Sequence, residues 1–279
     1  MHCKKTAFLN SVLIKRIFAC IVFFCLNSCT TPAENFSQTA IDLQYHQQLI
    51  KTQIFEHQIF ANPVAHYKEN SNIIHVYLDG DGTPWEHNRW PAIDPTSRNP
   101  MILNLMQLDR SPAILLGRPC YHGLHKNPKC SAQYWTSHRY SSLVVQSMAQ
   151  ALRQWLAIRK YNQVILIGYS GGGVLAMLLA KQVPKLKTVV TFAANLNVNE
   201  WSRHHGYLPL QNSLNPADHT TETSQIHQLH IAASEDKIVP PYIIEQFANS
   251  QANAEFLLVP NQDHRCCWTQ VWPEILKLF

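Results

Sequence analysis

The chain has 279 residues, enough to bury one large core and an ordinary length for a single α/β domain. Its formal charge is +5, from 23 Lys and Arg against 18 Asp and Glu. Four of those cations (Lys4, Lys5, Lys15 and Arg16) lie in the first 28 residues, which hold no acid, so the rest is close to neutral and leaves nothing to suggest nucleic-acid binding.

The N-terminus reads as an export signal. A basic region precedes "IFACIVFFCL", a ten-residue apolar run too short to cross a bilayer and suited to a signal-peptide core. The "LNSC" that ends at Cys29 resembles a bacterial lipobox, with Leu26 and Ser28 fitting and Asn27 departing from it. That resemblance implies cleavage before Cys29 and lipidation of its thiol, so acyl chains would hold the chain at a membrane. Residues 1–28 are then a lipoprotein signal peptide, 29–37 a polar, turn-rich tether, and 38–279 the folded domain. Thr30 after Cys29 favours, by the same analogy, the outer membrane of a bacterial envelope, facing the periplasm.

In chain order, "QTAIDLQYHQQLI" suits a helix and "TQIFEHQIF" a strand. "NIIHVYL" (72–78) is a β-rich run, "NPMILNLMQLD" (99–109) a helix, and "PAILLG" (112–117) a strand. Val144, Met148, Leu152 and Trp155 mark one face of an amphipathic helix. "QVILIG" (163–168) is a strand and "VLAMLLAKQ" a buried helix. "KTVVTFA", "QLHIAAS" and "AEFLLVP" are strands, with helical stretches near 241–249 and 268–279. Short apolar strands alternating with helices predict an α/β fold, a mostly parallel central sheet with helices on both faces, in a single domain. Two long excursions break the rhythm, at 118–141 and about 195–227. Loops of that length in a compact domain are usually lids or binding loops.

Cysteine usage agrees with export. Cys120 and Cys130 flank an irregular loop, "YHGLHKNP", and are expected to form a disulfide. Adjacent Cys266 and Cys267 are expected to be small buried residues. No cysteine spacing matches a zinc site, and no metal or cofactor is expected.

The chemistry concentrates at the ends of strands. In "GYSGG", Gly168 and Gly172 allow a strand and a helix to approach closely, leaving Ser170 at the apex of the turn. A serine needs a base, and the base needs an acid to orient it. His264, in "LLVPNQDHRCCW", sits in the loop after the last strand and is the expected base, ahead of His219 and His230. Asp236 in "SEDKIVPP" is the expected acid, ahead of Glu235 and the more distant Asp218. "LDGDGTPW" follows an early strand and supplies the expected oxyanion N–H of Asp81, or Gly82 if the register slips by one, beside that of Gly171. Trp85, Tyr169, Trp135 and Arg139 are candidate pocket walls. Arg139, in "YWTSHRYS", either clamps an anionic group or makes a surface pair, and Asp94 and Arg98 of "DPTSRNP" are expected to pair and cap the next helix.

The order Ser170, Asp236, His264, with a glycine-rich loop after an early strand, resembles the α/β-hydrolase superfamily over residues 70–279. "YLDGDGTPW", "DPTSRNP", "RPC", "YWTSHRYS", "GYSGGG" and "DHRCCW" are similar to a group of bacterial α/β-hydrolase lipoproteins. The resemblance implies a serine hydrolase acting on a small or lipid-like ester or thioester. An acyltransferase with the same three residues, or a binding lipoprotein that keeps the fold without turnover, are the alternatives. Asp79 stands where many esterases of the superfamily carry a histidine.

Overall fold

The computed structural model describes residues 30–67, 72–223 and 225–279. The expected signal peptide and Cys29 lie outside the described residues. Pro32–Phe279 form one compact unit.

The chain opens with α1 (Pro32–Asp42), then β1 (His46–Lys51), β2 (Glu56–Ala61) and a short helix α2 (Pro63–Tyr67). β3 (Ile73–Leu78) leads into a small hairpin of β4 (Trp85–Glu86) and β5 (Trp90–Pro91). Then come α3 (Met101–Leu108), β6 (Ala113–Leu116), α4 (Ser142–Ala157), β7 (Gln163–Tyr169), α5 (Gly171–Leu179) and β8 (Leu186–Phe192). The last third holds α6 (Val198–His204), β9 (His227–Ala233), α7 (Pro241–Asn249), β10 (Ala254–Val259) and α8 (Trp268–Ile275).

Eight strands form one sheet in the order β1-β2-β6-β3-β7-β8-β9-β10. From β6 to β10 the pairings are parallel, and β2 is antiparallel to both β6 and β1. Alternate strand residues feed two cores. Val76, Leu78, Leu166 and Val189 meet the stripe Val144, Met148, Leu152 and Trp155 of α4. Tyr77, Ile165, Ile167 and Val190 face the other way, onto Phe36 of α1, Ile102 of α3, and Trp268 and Trp272 of α8. Both faces are covered, which is why the central strands read as nearly continuous apolar runs. Ser141 caps α4, its hydroxyl accepting the Val144 N–H at 3.5 Å.

The start of the domain departs from expectation. Residues 32–37 are not tether but the first half of α1, where Phe36 and Ala40, one turn apart, are buried. Pro32 suits the first helical position, since its missing N–H would have no intrahelical acceptor there. The expected helix does not continue past Asp42. Gln44 takes a positive φ of 60°, and His46–Lys51 instead pairs with β2 at the sheet edge. Polar composition misled in the first place because one buried aromatic outweighs several solvated neighbours, and in the second because pairing with β2 overrides a local helical pattern.

Parallel pairing sets the site. In register, Leu78 of β3 lies beside Gly168 of β7, so the loops after both strands emerge together. β9 and β10 deliver their following loops to the same edge, where ligands gather in open α/β sheets.

Candidate active site

Ser170 sits between β7 and α5 with φ 50° and ψ −123°, a backbone conformation that non-glycine residues rarely adopt. The turn is tight. A Cβ on Gly168 would strike the backbone of Gly172 and Gly173, and one on Gly172 would strike the Leu78 and Asp79 carbonyls. The Ser170 N–H donates to Phe192 O at 3.0 Å, and its carbonyl accepts from Gly173 N at 2.9 Å. The strained turn is thus held at both ends, leaving the hydroxyl half-buried at the sheet edge.

The hydroxyl meets a histidine. His264 Nε2 lies 3.1 Å from Ser170 Oγ, and Nδ1 lies 2.8 Å from Asp236 Oδ2. With the tautomer this implies, Nδ1–H donates to the carboxylate and Nε2 accepts from the serine. Asp236 is itself fixed, its other oxygen accepting the N–H groups of Ile238 and Val239 at 2.8 Å each. The His264 carbonyl accepts from the Tyr169 hydroxyl at 2.8 Å and from Trp268 Nε1 at 3.2 Å. Asp263 accepts the N–H groups of Arg265 and Cys266, which hold its carboxyl below the usual range and shape the turn bearing the imidazole.

The loop after β3 passes against this serine. A Cβ on Gly80 would lie 3.4 Å from Ser170 Cβ, and one on Gly171 would collide with the Asp81 carboxylate and the Tyr140 hydroxyl. Gly171 is the first residue of α5, so its N–H has no intrahelical acceptor. The Asp81 N–H makes no hydrogen bond among the described residues. The Asp81 carboxylate is gripped instead. Arg139 Nη1 donates to Oδ2 at 2.9 Å, and the Tyr140 hydroxyl lies 2.7 Å from Oδ2 and 2.9 Å from Oδ1. Arg118 Nη1 approaches Oδ1 at 2.8 Å, an ion pair in which the N–H is not aligned as a hydrogen bond. Burial opposes ionisation, but Arg139, Arg118 and Tyr140 together hold Asp81 down at about 2. Asp79 is pushed the other way, to about 7, chiefly by burial and further by Asp81, against the Gly80 N–H and Arg118.

A sequence model of the dienelactone hydrolase family matches residues 121–266, just over half of the chain. The chain belongs to the dienelactone hydrolase family. It is therefore a hydrolase, of a family whose substrates are small-molecule esters. Among solved structures, Est1E from Butyrivibrio proteoclasticus is similar at a TM-score of 0.59 and 12% identity, covering 84% of this chain and 96% of that one. The Pyrococcus furiosus esterase Pf2001 is similar at 0.58 and 14%, covering 90% and 93%. At such identities the likeness is one of fold, and that fold is the α/β hydrolase. No curated protein sequence is a significant match.

In this dienelactone hydrolase family member the other candidate residues take different places. His230 is buried in β9 between Thr191 and Gln228, where burial lowers it to about 3 and keeps it neutral. His219 and Asp218 lie in the second excursion, with Asp218 accepting from Asn215 in a turn. Glu235 is exposed beside the buried Asp236. Trp85 stands on the exposed hairpin, and Tyr169 stacks on Phe192 beneath His264. Trp135 is not a pocket wall but a core residue, packed with Phe55, Cys120 and Tyr121. Arg139 makes no surface pair and is buried against Asp81. Asp94 and Arg98 do not pair either. Asp94 accepts from Ala33 N and Thr96 N, while Arg98 reaches Glu86.

Cys120 and Cys130 are bonded. So are Cys266 and Cys267, which are partly exposed in the turn after His264 rather than buried. Arg118 and Tyr140 escaped the sequence reading, although an arginine directly after an apolar strand at the loop-bearing edge was the available signal. Among the described residues no cluster of His, Cys, Asp and Glu could hold a metal ion, and no helix is long and apolar enough to cross a membrane. A cavity of about 240 Å³ lies between α4, α5 and the second excursion, lined by Val145, Met177, Leu214 and His219. Ser170 is not among its walls.

Proposed function

We propose that this hydrolase cleaves carboxylic esters or thioesters through an acyl-enzyme on Ser170. The observation that carries the reading is the hydrogen-bonded relay from Ser170 Oγ through His264 to Asp236, at the apex of a strained strand-to-helix turn. His264 Nε2 takes the hydroxyl proton as Oγ attacks the acyl carbonyl, and Asp236 stabilises the imidazolium. The N–H groups of Asp81 and Gly171 receive the developing oxyanion. The imidazolium then protonates the departing alcohol or thiol. Water, deprotonated by His264, attacks the acyl-enzyme and releases the acid and free Ser170.

A fluorophosphonate probe tests this directly. Wild type is expected to label and to hydrolyse short p-nitrophenyl esters, while Ser170→Ala and His264→Ala do neither. Labelling that persists in Ser170→Ala removes the nucleophile. Turnover that needs an added alcohol or amine acceptor would favour acyl transfer, and wild type that neither labels nor turns over would favour a binding protein.

We also propose that the mature chain begins at a lipidated Cys29 and is held in the bacterial envelope, on the periplasmic side of the outer membrane. The basic start, the ten-residue apolar run and "LNSC" support this. An alkynyl fatty acid fed to expressing cells should enter wild type and not Cys29→Ala. Equal incorporation into both would end the lipoprotein reading.

A further inference from the structure

We propose that Arg118, Arg139 and Tyr140 are positioning residues for the oxyanion loop, fixing the Asp81 side chain so that the backbone N–H of the same residue is aimed beside that of Gly171. The inference deepens the hydrolase reading above and rests on it.

Two buried arginines on one carboxylate are a poor source of stability. Arg118 and Arg139 are 3% and 5% exposed, and taking two guanidinium groups out of water is expensive even when they are paired. Apolar residues of similar volume would fill the space at less cost, so stability does not explain the charges. Their location does. The Asp81 carboxylate and the Tyr140 hydroxyl occupy the space where a Cβ on Gly171 would stand. The cluster therefore sets the spacing between two N–H donors that come from different elements, the loop after β3 and the start of α5.

Each part of the grip is itself held. Arg139 Nε donates to Thr136 O at 2.6 Å, and the Tyr121 hydroxyl donates to the Asp81 carbonyl at 3.0 Å. The Arg118 guanidinium lies 5.6 Å from the ring centres of both Tyr121 and Tyr140. Tyr140 O accepts the Leu214 N–H at 3.0 Å. The Cys120–Cys130 bond closes the loop that carries Tyr121. Asp81 is thus pinned at carboxylate and carbonyl, leaving its N–H as the backbone group that faces no acceptor among the described residues. Two guanidinium groups at this carboxylate also leave positive charge just behind the site where negative charge develops, which favours the oxyanion.

The test uses the full chain. Wild type, Tyr140→Phe, Arg139→Gln and Arg139→Lys are labelled to completion with the fluorophosphonate probe, which counts the competent sites in each preparation. The expected result is a kcat per labelled site on p-nitrophenyl acetate that falls about 10–100-fold in Tyr140→Phe and Arg139→Gln. KM should stay within about threefold, and Arg139→Lys should recover part of the loss. A purely structural role lowers the number of labelled sites and leaves turnover per site unchanged. If kcat per labelled site stays within about twofold of wild type in both variants, the inference fails alone. If wild type itself neither labels nor turns over, the hydrolase reading fails and takes the inference with it. Should Arg139→Gln not fold, Tyr140→Phe decides, since it removes a single oxygen.

Discussion

The two long excursions from the sheet are built on opposite principles. The first, at 118–141, turns its two arginines inward. Arg118 and Arg139 reach Asp81, Trp135 packs against Phe55 and Cys120, and a disulfide closes the loop. The second, between β8 and β9, roots Leu196 and Val198 in the core but turns apolar groups outward further along, with Tyr207 and Leu208 57% and 87% exposed. It hydrogen-bonds to the acid-bearing loop at Ile238 O, which accepts from Trp201 Nε1 at 2.7 Å and lies 2.8 Å from His205 Nε2, while Val239 of that loop shares a core cluster with Leu196 and Val198. Both segments flank the Ser170 site, yet one fixes backbone geometry and the other offers surface. Length alone marks a segment as functional without telling which of these it does.

Charge removal should break the comparison most visibly. Arg118→Ala deletes one side of a buried ion pair, a change that costs about 3–5 kcal/mol, read as a lower urea midpoint. Arg203→Ala is the control in the second excursion, where the arginine is exposed and pairs with Glu200 one turn away. Its urea midpoint should not move. Equal midpoints for the two variants would show that the first excursion is no more tightly tied than the second.

The disulfide comes next. Cys120 and Cys130 are separated by 10 positions, and releasing a closed loop of that length costs about 2–3 kcal/mol in the chain-entropy picture. The double variant Cys120→Ser/Cys130→Ser is expected to melt earlier while keeping its fluorophosphonate labelling at 25 °C. Loss of labelling in a folded double variant would mean that the bridge shapes the site and not only the loop.

What the sequence disclosed follows the same division. Strand and helix periodicity was legible from Ile73 onward, because apolar runs buried on both faces leave an unambiguous pattern. Ser170, Asp236 and His264 could be placed together, since each follows a strand of a parallel sheet and so falls on one edge. The grip on Asp81 could not be read. Arg118 and Arg139 look like solvated surface residues in a polar loop, and their burial depends on a partner 37 and 58 positions away. Long-range ion pairs leave no local period. At the other end of the domain, Phe36 was one apolar residue in a polar stretch, and composition alone assigned its helix to a tether.

Proton linkage distinguishes the oxyanion loop from the rest of the fold. Asp79 is raised from an ordinary 3.8 to about 7, so folding favours its protonated form. That contribution is fully present below about pH 4 and is lost as pH rises through 7. Asp81, held at about 2, contributes in the opposite sense, losing stability only as pH falls from its ordinary 3.8 towards 2. The groups bearing on Asp79 are the Gly80 N–H, Arg118 and Asp81, with Tyr169 beside them. Asp79→Asn should therefore flatten the fall in unfolding free energy between pH 4 and pH 8, measured by urea titration at each pH. A slope unchanged by the substitution would place the titration elsewhere.

The smallest effect on stability, and the sharpest on selectivity, is expected at Leu208. An 87% exposed leucine contributes little to folding, so Leu208→Ser should leave the unfolding free energy within about 0.5 kcal/mol of wild type. Tyr207 nevertheless stacks on His205, which reaches Ile238 O in the loop that carries Asp236, and the adjoining Leu208 adds exposed apolar surface that a long acyl chain can cover. Partial burial of one such side chain is worth about 1 kcal/mol, or roughly fivefold in affinity. Across a series of p-nitrophenyl esters, Leu208→Ser is then expected to lower kcat/KM about fivefold for octanoate through KM and to leave acetate unchanged. An equal fall on both esters would trace the loss to the loop holding Asp236. No change on either would remove the second excursion from substrate selection.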